Sequence, residues 1–202
     1  MGRIARTLRP DRTRWRLVHV IVLLAVATLA VAYLIPMVER AREASRLAVC
    51  RDNLRKIGAD LLLYAQANKG TLPVSPTVEN PHIELIHALK DGHFAGDPKN
   101  YYCPSLRDPS FSEQNFNAGI TGYYYYSALA AGTDATLSKF LRSGVTWPRQ
   151  LSTSMDPKTW VMSDVWISGV PTAHAGYRKG VNYVMLDGSV DFVSESPRQA
   201  FH

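Results

Sequence analysis

Three side chains near the C-terminus are candidates for binding a metal ion. His174 offers an imidazole, and Asp187 and Asp191 offer carboxylates, which are the oxygen ligands that calcium prefers. Calcium takes six to eight oxygen ligands, however, and only these two carboxylates are close together in the sequence. The alternative assigns Asp187 to a turn and Asp191 to the exposed face of a strand. We expect these structural roles and therefore no bound cofactor, with calcium as the alternative.

Two other groups of residues invite a catalytic or metal-binding interpretation. Ser163 and Asp164 with His174 could form the polar groups of a hydrolase, but no G-x-S-x-G motif surrounds that serine. We therefore predict no enzymatic activity. Three further histidines, His82, His87 and His93, surround a short predicted helix, but the first two are not spaced to face one zinc ion. We expect them on solvated helix faces.

A long apolar segment dominates the N-terminal part of the chain. Residues 17–35 read LVHVIVLLAVATLAVAYLI, without Asp, Glu, Lys or Arg, and approach the length of about 20 residues that a membrane-spanning helix requires. A cleaved signal peptide is the alternative. Its apolar region would be shorter and would precede a small-residue cleavage site, whereas Pro36, Met37 and a charged stretch follow here. We expect a retained transmembrane helix.

The charges around this segment predict its orientation. Residues 1–16 contain six arginines and one aspartate, which accounts for +5 of the formal net charge of +6. Basic flanks stay in the cytoplasm, so residues 1–16 form a cytoplasmic tail and residues 36–202 are exported to the periplasm or cell surface. The exported part is nearly neutral, which argues against nucleic-acid binding.

Two cysteines, Cys50 and Cys103, lie in the exported part. In an oxidising compartment a disulfide between them is the expected state, and two separate buried thiols are the alternative.

The exported part begins with an amphipathic helix over residues 37–69. Apolar side chains recur there at steps of three and four residues, at Leu47, Cys50, Leu54, Ile57, Leu61 and Tyr64. Asn68-Lys69-Gly70 ends the helix. The connecting region, residues 70–158, contains a short helix with Asn80 as cap, an aromatic strand from Gly122 and a second short helix over 134–142.

The last strands, over residues 159–193, complete an α+β fold. Residues 159–165 form one strand, and VNYVML and SVDFV form a hairpin around Asp187-Gly188. This dipeptide predicts a two-residue turn in which both residues have positive φ. The resulting antiparallel sheet would cover the apolar stripe of the helix, with Leu54, Ile57 and Leu61 buried against it.

Several sequence words resemble a known family. The stretch LIPMVERAREASRLAVCRDNLRKIGADLLLYAQANKGTLP, the word YYCPS, and SDVW followed by His174 and GVNYVMLDGSVDFV are similar to pilin-like proteins of the planctomycete type. These proteins have a prepilin-type N-terminal helix and a C-terminal histidine and Asp-Gly signature. The resemblance implies a fold like that of type IV pilins and type II secretion pseudopilins, some of which hold calcium near their C-terminal strands.

The resemblance also identifies a degenerate prepilin-peptidase site. The glycine, the aromatic residue and the glutamate of the family fall on Arg14, Trp15 and His19. In the family the peptidase requires the glycine, and the glutamate is thought to neutralise the new amino terminus of a neighbouring subunit during assembly.

The resemblance implies a non-enzymatic structural role. The chain would assemble in the membrane with other pilin-like or secretion-system subunits, or with copies of itself, through its N-terminal helix. The alternative is a membrane-anchored binding module with the same fold that does not form filaments.

Overall fold

A computed structural model describes residues 12–74, 81–106, 110–127, 151–164, 174 and 180–193. The chain divides into two compact units, residues 1–42 and residues 43–202. One helix, α1 (Arg12–Ala67), begins in the first unit and ends in the second.

The described part of the first unit is the N-terminal portion of α1. Every described side chain from Trp15 to Arg42 is exposed, including Leu23 (68%) and Leu29 (71%). Within the described residues, α1 is the one helix that is long and apolar enough to cross a membrane, by length and composition. The helix continues through Pro36.

In the second unit, α1 forms one side of the hydrophobic core. The predicted stripe is correct: Leu54 and Ile57 have no exposed surface, and Leu61 is 2% exposed. Asn68-Lys69-Gly70 follows the helix, and Lys69 and Gly70 both have positive φ. The Gly70 N–H donates to the carbonyl of Ala65, at 2.7 Å, which satisfies a carbonyl at the helix end.

A four-stranded antiparallel sheet forms the other side of the core. Its strands are β1 (Tyr123–Tyr125), β2 (Trp160–Asp164), β3 (Val181–Met185) and β4 (Val190–Val193), in the order β1-β2-β3-β4. The α+β class, a long helix packed on an antiparallel sheet, is therefore as predicted.

Close packing between helix and sheet depends on Gly58. A Cβ atom there would lie 2.8 Å from Cγ2 of Val184 on β3, nearer than van der Waals contact allows. Val184 and Leu186 belong to the same core as Ile57, and Val190 packs against it.

The β3–β4 hairpin differs from the prediction in its turn. Val184 pairs with Val190, and the Met185 N–H donates to the carbonyl of Ser189 at 2.9 Å, so three residues form the loop. Of these only Gly188 has positive φ, at 76°, so the prediction of positive φ at both Asp187 and Gly188 is wrong. This arrangement matches a turn followed by a glycine bulge, in which the extra residue removes the need for positive φ at the aspartate.

The described parts of the connecting region are helical and short. They comprise α2 (Pro81–Asp91), a 3₁₀ helix (Pro98–Tyr101) and α3 (Glu113–Asn117). The sequence predicted α2 but not α3, whose first turn is capped by the hydroxyl of Ser112. The predicted cap Asn80 and the predicted helix 134–142 lie outside the described residues.

Candidate functional site

The Cys50–Cys103 disulfide marks the most polar part of the protein interior. Both cysteines are buried, and their Cα atoms are 5.5 Å apart. The bond joins α1 to the segment after the 3₁₀ helix. The disulfide prediction is confirmed, and the alternative of two separate thiols is wrong.

His174 lies beside the disulfide and has no exposed surface. Its Nδ1 is 3.0 Å from Oε1 of Glu43 and 3.1 Å from the hydroxyl of Ser105. That hydroxyl also donates to Oε1 of Glu43 in a short hydrogen bond. One nitrogen of the imidazole is therefore held by a half-buried carboxylate and a hydroxyl.

The other imidazole nitrogen faces a buried aspartate and the disulfide. Nε2 is 3.5 Å from Oδ2 of Asp164 and 3.7 Å from Sγ of Cys103. Oδ2 of Asp164 also accepts hydrogen bonds from the backbone N–H and the side-chain amide of Asn182, at 2.8 and 2.7 Å. The Oδ1 atoms of Asp164 and Asn182 are buried and have no hydrogen-bond partner among the described residues.

The two carboxylates determine the charge state of the histidine. Burial lowers the pKa of His174, but the carboxylates of Asp164 and Glu43 outweigh burial and hold that pKa above its usual value. Burial alone would raise the pKa of Glu43. Hydrogen bonds from Ser105, His174 and Arg46 lower it by a larger amount, so the net shift of this pKa is downward. The two acidic side chains therefore stabilise the protonated form of His174 relative to a free imidazole.

Secondary structure from distant parts of the chain positions these groups. Glu43 and Cys50 are seven residues apart on α1, which places them on one face of the helix. Asp164 is the last residue of β2, and Asn182 lies on the adjacent strand β3. On α1, Asn53 donates to the carbonyl of Tyr102 at 3.2 Å, which ties the helix to the segment that carries Cys103.

The structure separates the residues proposed for calcium. Asp187 pairs with Lys158 at 2.9 Å and accepts hydrogen bonds from Ser189. Asp191 is exposed and accepts from the N–H of Phe192. Among the described residues, the group of metal-binding side chains that includes His174 contains neither aspartate.

The serine and the histidines considered for a hydrolase or a zinc site have other surroundings. Ser163 is buried, and its hydroxyl contacts Tyr126 and the carbonyl of Asp164 rather than His174. His87 and His93 belong to no metal-binding cluster of described side chains, and the side chain of His82 lies outside them.

The tyrosines at 123–126 have mixed surroundings, as expected for a strand. Tyr123 and Tyr125 are buried, and the hydroxyl of Tyr125 donates to the carbonyl of Pro73 at 2.6 Å.

The residues at the degenerate peptidase site lie in the first turns of α1. The ring of His19 hydrogen-bonds the carbonyl of Trp15, at 2.6 Å, and the two rings are 6.0 Å apart.

Four buried side chains could hold a metal ion. Cys50, Cys103, Asp164 and His174 each present one ligand atom, and these atoms lie within 4.8 Å of one another. Asp164 and His174 were predicted in other roles, and Glu43, Ser105 and Asn182 were not predicted as site residues. These residues could have been found from the resemblance, because Glu43, Ser105 and Asn182 each lie in one of the sequence stretches that carry it.

No protein family, curated protein or solved structure matches this chain.

Proposed function

We propose that the protein is a single-pass membrane subunit with a non-enzymatic, structural role like that of a pseudopilin. Its N-terminus would lie in the cytoplasm and its α+β domain in the periplasm or at the cell surface. The helix α1 carries this proposal. Its N-terminal portion has apolar, exposed side chains, and its C-terminal portion is part of a folded core.

The exposed apolar surface of α1 requires a nonaqueous environment. Side chains such as Leu23, Leu29 and Ile35 are all more than half exposed. A continuous surface of this kind is unfavourable in water and favourable in lipid or against other helices. Six arginines before it favour a cytoplasmic N-terminus.

The side chains around His174 come from the sequence words that carry the resemblance to pilin-like proteins. The word ERARE supplies Glu43, YYCPS supplies Cys103 and Ser105, SDVW supplies Asp164, and GVNYVML supplies Asn182. Words far apart in the sequence thus meet around His174.

The second candidate function is a membrane-anchored binding module that does not assemble. The residue His19 favours it, because the family carries a glutamate at that position and the imidazole here bonds to its own helix. Without that carboxylate, the chain lacks the group that would neutralise the amino terminus of a neighbouring subunit. Arg14 at the cleavage position favours the same reading.

Co-purification from the native membrane distinguishes the two functions. The full chain, extracted in mild detergent, should bring pilin-like or secretion-system subunits with it. The matched control is the fragment 43–202, exported with a cleavable signal peptide, which should lose those partners. Recovery of the full chain without such subunits would reject assembly and leave the anchored module.

A further inference from the structure

We propose that reduction of the Cys50–Cys103 disulfide creates a tetrahedral Zn²⁺ site. Its ligands would be the four side chains of the metal-binding cluster, Cys50, Cys103, Asp164 and His174. The protein would then exchange a covalent crosslink for a metal crosslink at the same position. This inference concerns the folded domain and does not depend on whether the chain assembles.

Two distances at Nε2 of His174 are close to those of a zinc site, and all four ligand atoms lie within 4.8 Å of one another. Zinc bonds of about 2.3 Å to sulfur and about 2.0 Å to nitrogen and oxygen place tetrahedral ligand atoms about 3.3–3.8 Å apart. Nε2 of His174 is 3.7 Å from Sγ of Cys103 and 3.5 Å from Oδ2 of Asp164. The two sulfurs, once the bond between them is broken, need only separate to about 3.8 Å.

Side chains next to the proposed ligands orient them by hydrogen bonds, as the residues around a metal site commonly do. Glu43 accepts from Nδ1 of His174, which leaves Nε2 to face the sulfur and the aspartate. A carboxylate behind a histidine fixes the tautomer that coordinates zinc. Asn182 donates twice to Asp164 and thereby fixes the orientation of that carboxylate.

The reduced cluster without a metal would be poorly compensated. Asp164 is fully buried, and its Oδ1 has no partner among the described residues. A buried carboxylate is costly unless it is paired or binds a metal. Zinc binding displaces the two thiol protons, and the divalent cation neutralises the charge of the thiolates that form. Thiolate and imidazole ligands together select zinc over harder cations such as calcium.

The chemistry requires a two-electron reductant, which in the cell would be a dithiol. The reductant transfers two electrons and two protons to the disulfide, its own sulfurs become a disulfide, and the S–S bond of the protein breaks to give two thiols. Zn²⁺ then forms one bond to each sulfur, one to Nε2 and one to Oδ2. Both thiol protons go to solvent, together with any proton on Nε2.

Cobalt binding by the full chain in detergent micelles tests the proposal. Co²⁺ replaces Zn²⁺ in tetrahedral sites and reports its ligands by absorption. Protein reduced with a phosphine and freed of metals should bind one Co²⁺ per chain, with a thiolate-to-cobalt charge-transfer band and the intense visible bands of tetrahedral geometry. Added Zn²⁺ should abolish both, and the oxidised protein should show neither.

Two variants and one control test the histidine ligand and its hydrogen-bond partner Glu43. His174→Gln and Glu43→Gln should each weaken Co²⁺ binding, the second by about 10–100-fold because it removes an outer-shell partner. Asp187→Asn removes a carboxylate outside the cluster and should leave binding unchanged. If a variant does not fold, the comparison of Co²⁺ spectra between oxidised and reduced wild-type protein still tests the proposal. The proposal is overturned if reduced protein shows no charge-transfer band, or if oxidised protein gives the same spectrum.

Discussion

Ile57 is the residue at which the packing of α1 on the sheet can be tested most simply. Its side chain has no exposed surface and lies in the core that also contains Leu54, Leu61 and Val184. Ile57→Ala removes three carbon atoms, worth roughly 2 kcal/mol in transfer free energy at about 0.8 kcal/mol each. The cavity left behind adds to this, so we expect a total loss of about 2–5 kcal/mol.

Thermal unfolding of the full chain in detergent micelles, followed by near-ultraviolet circular dichroism, measures this loss. For a protein of this size, 2 kcal/mol or more lowers the midpoint by at least about 4 °C. The control is Leu63→Ala on the same helix, where the side chain is 52% exposed and the expected change is under about 0.5 kcal/mol. If both variants have the same unfolding midpoint as the wild-type protein, the apolar stripe of α1 does not pack on the sheet.

Four further results are expected. N-terminal sequencing of membrane-extracted protein should find residues upstream of Trp15, because arginine occupies the position where the peptidase requires glycine; a mature start at that tryptophan contradicts this. Replacing both Cys50 and Cys103 by alanine should lower the unfolding free energy in urea by about 4 kcal/mol, since their separation of 53 residues makes a long closed loop; a loss under about 1 kcal/mol would refute that estimate. Gly188→Val should cost more than about 1–2 kcal/mol in the same assay, and Gly188→Asn less, because φ there is 76°; equal losses would exclude backbone strain as the cause. Burial raises the pKa of Asp60 above 3.8, so the carboxyl loses its proton at lower pH in the unfolded chain than in the folded one. The free energy of unfolding should therefore fall as the pH rises from 3.8 through the pKa of the folded protein. Asp60→Asn should flatten that part of the pH profile, and an unchanged profile would contradict the raised pKa.

The parts of the fold that follow from local periodicity could be predicted from the sequence. The stripe through Leu54, Ile57 and Leu61 repeats at helical spacing, so both the helix and its buried face were visible. Alternating apolar residues likewise predicted β3 and β4. The hairpin turn was misjudged by one residue, because an Asp-Gly pair is compatible with a two-residue turn and with a longer loop that ends on glycine.

The site could not be predicted, because it depends on contacts between distant segments. Glu43 and His174 are separated by 131 residues, and Ser105 and His174 by 69. Nothing in local spacing reveals that they meet. Asp187 and Asp191 are close in sequence, but Asp187 lies in the hairpin turn and Asp191 is exposed on β4, which are the structural roles expected for them. The disulfide was predictable because only one pairing of two cysteines exists.

We propose that α1 contacts pilin-like or secretion-system subunits within the membrane. The most direct measurement places a photoreactive amino acid at each position of residues 20–31 in turn and identifies the adducts formed in intact cells. We predict protein adducts that recur every three to four positions, as one face of a helix requires, and that contain a pilin-like or secretion-system subunit. Adducts with lipid alone at every position would contradict the claim.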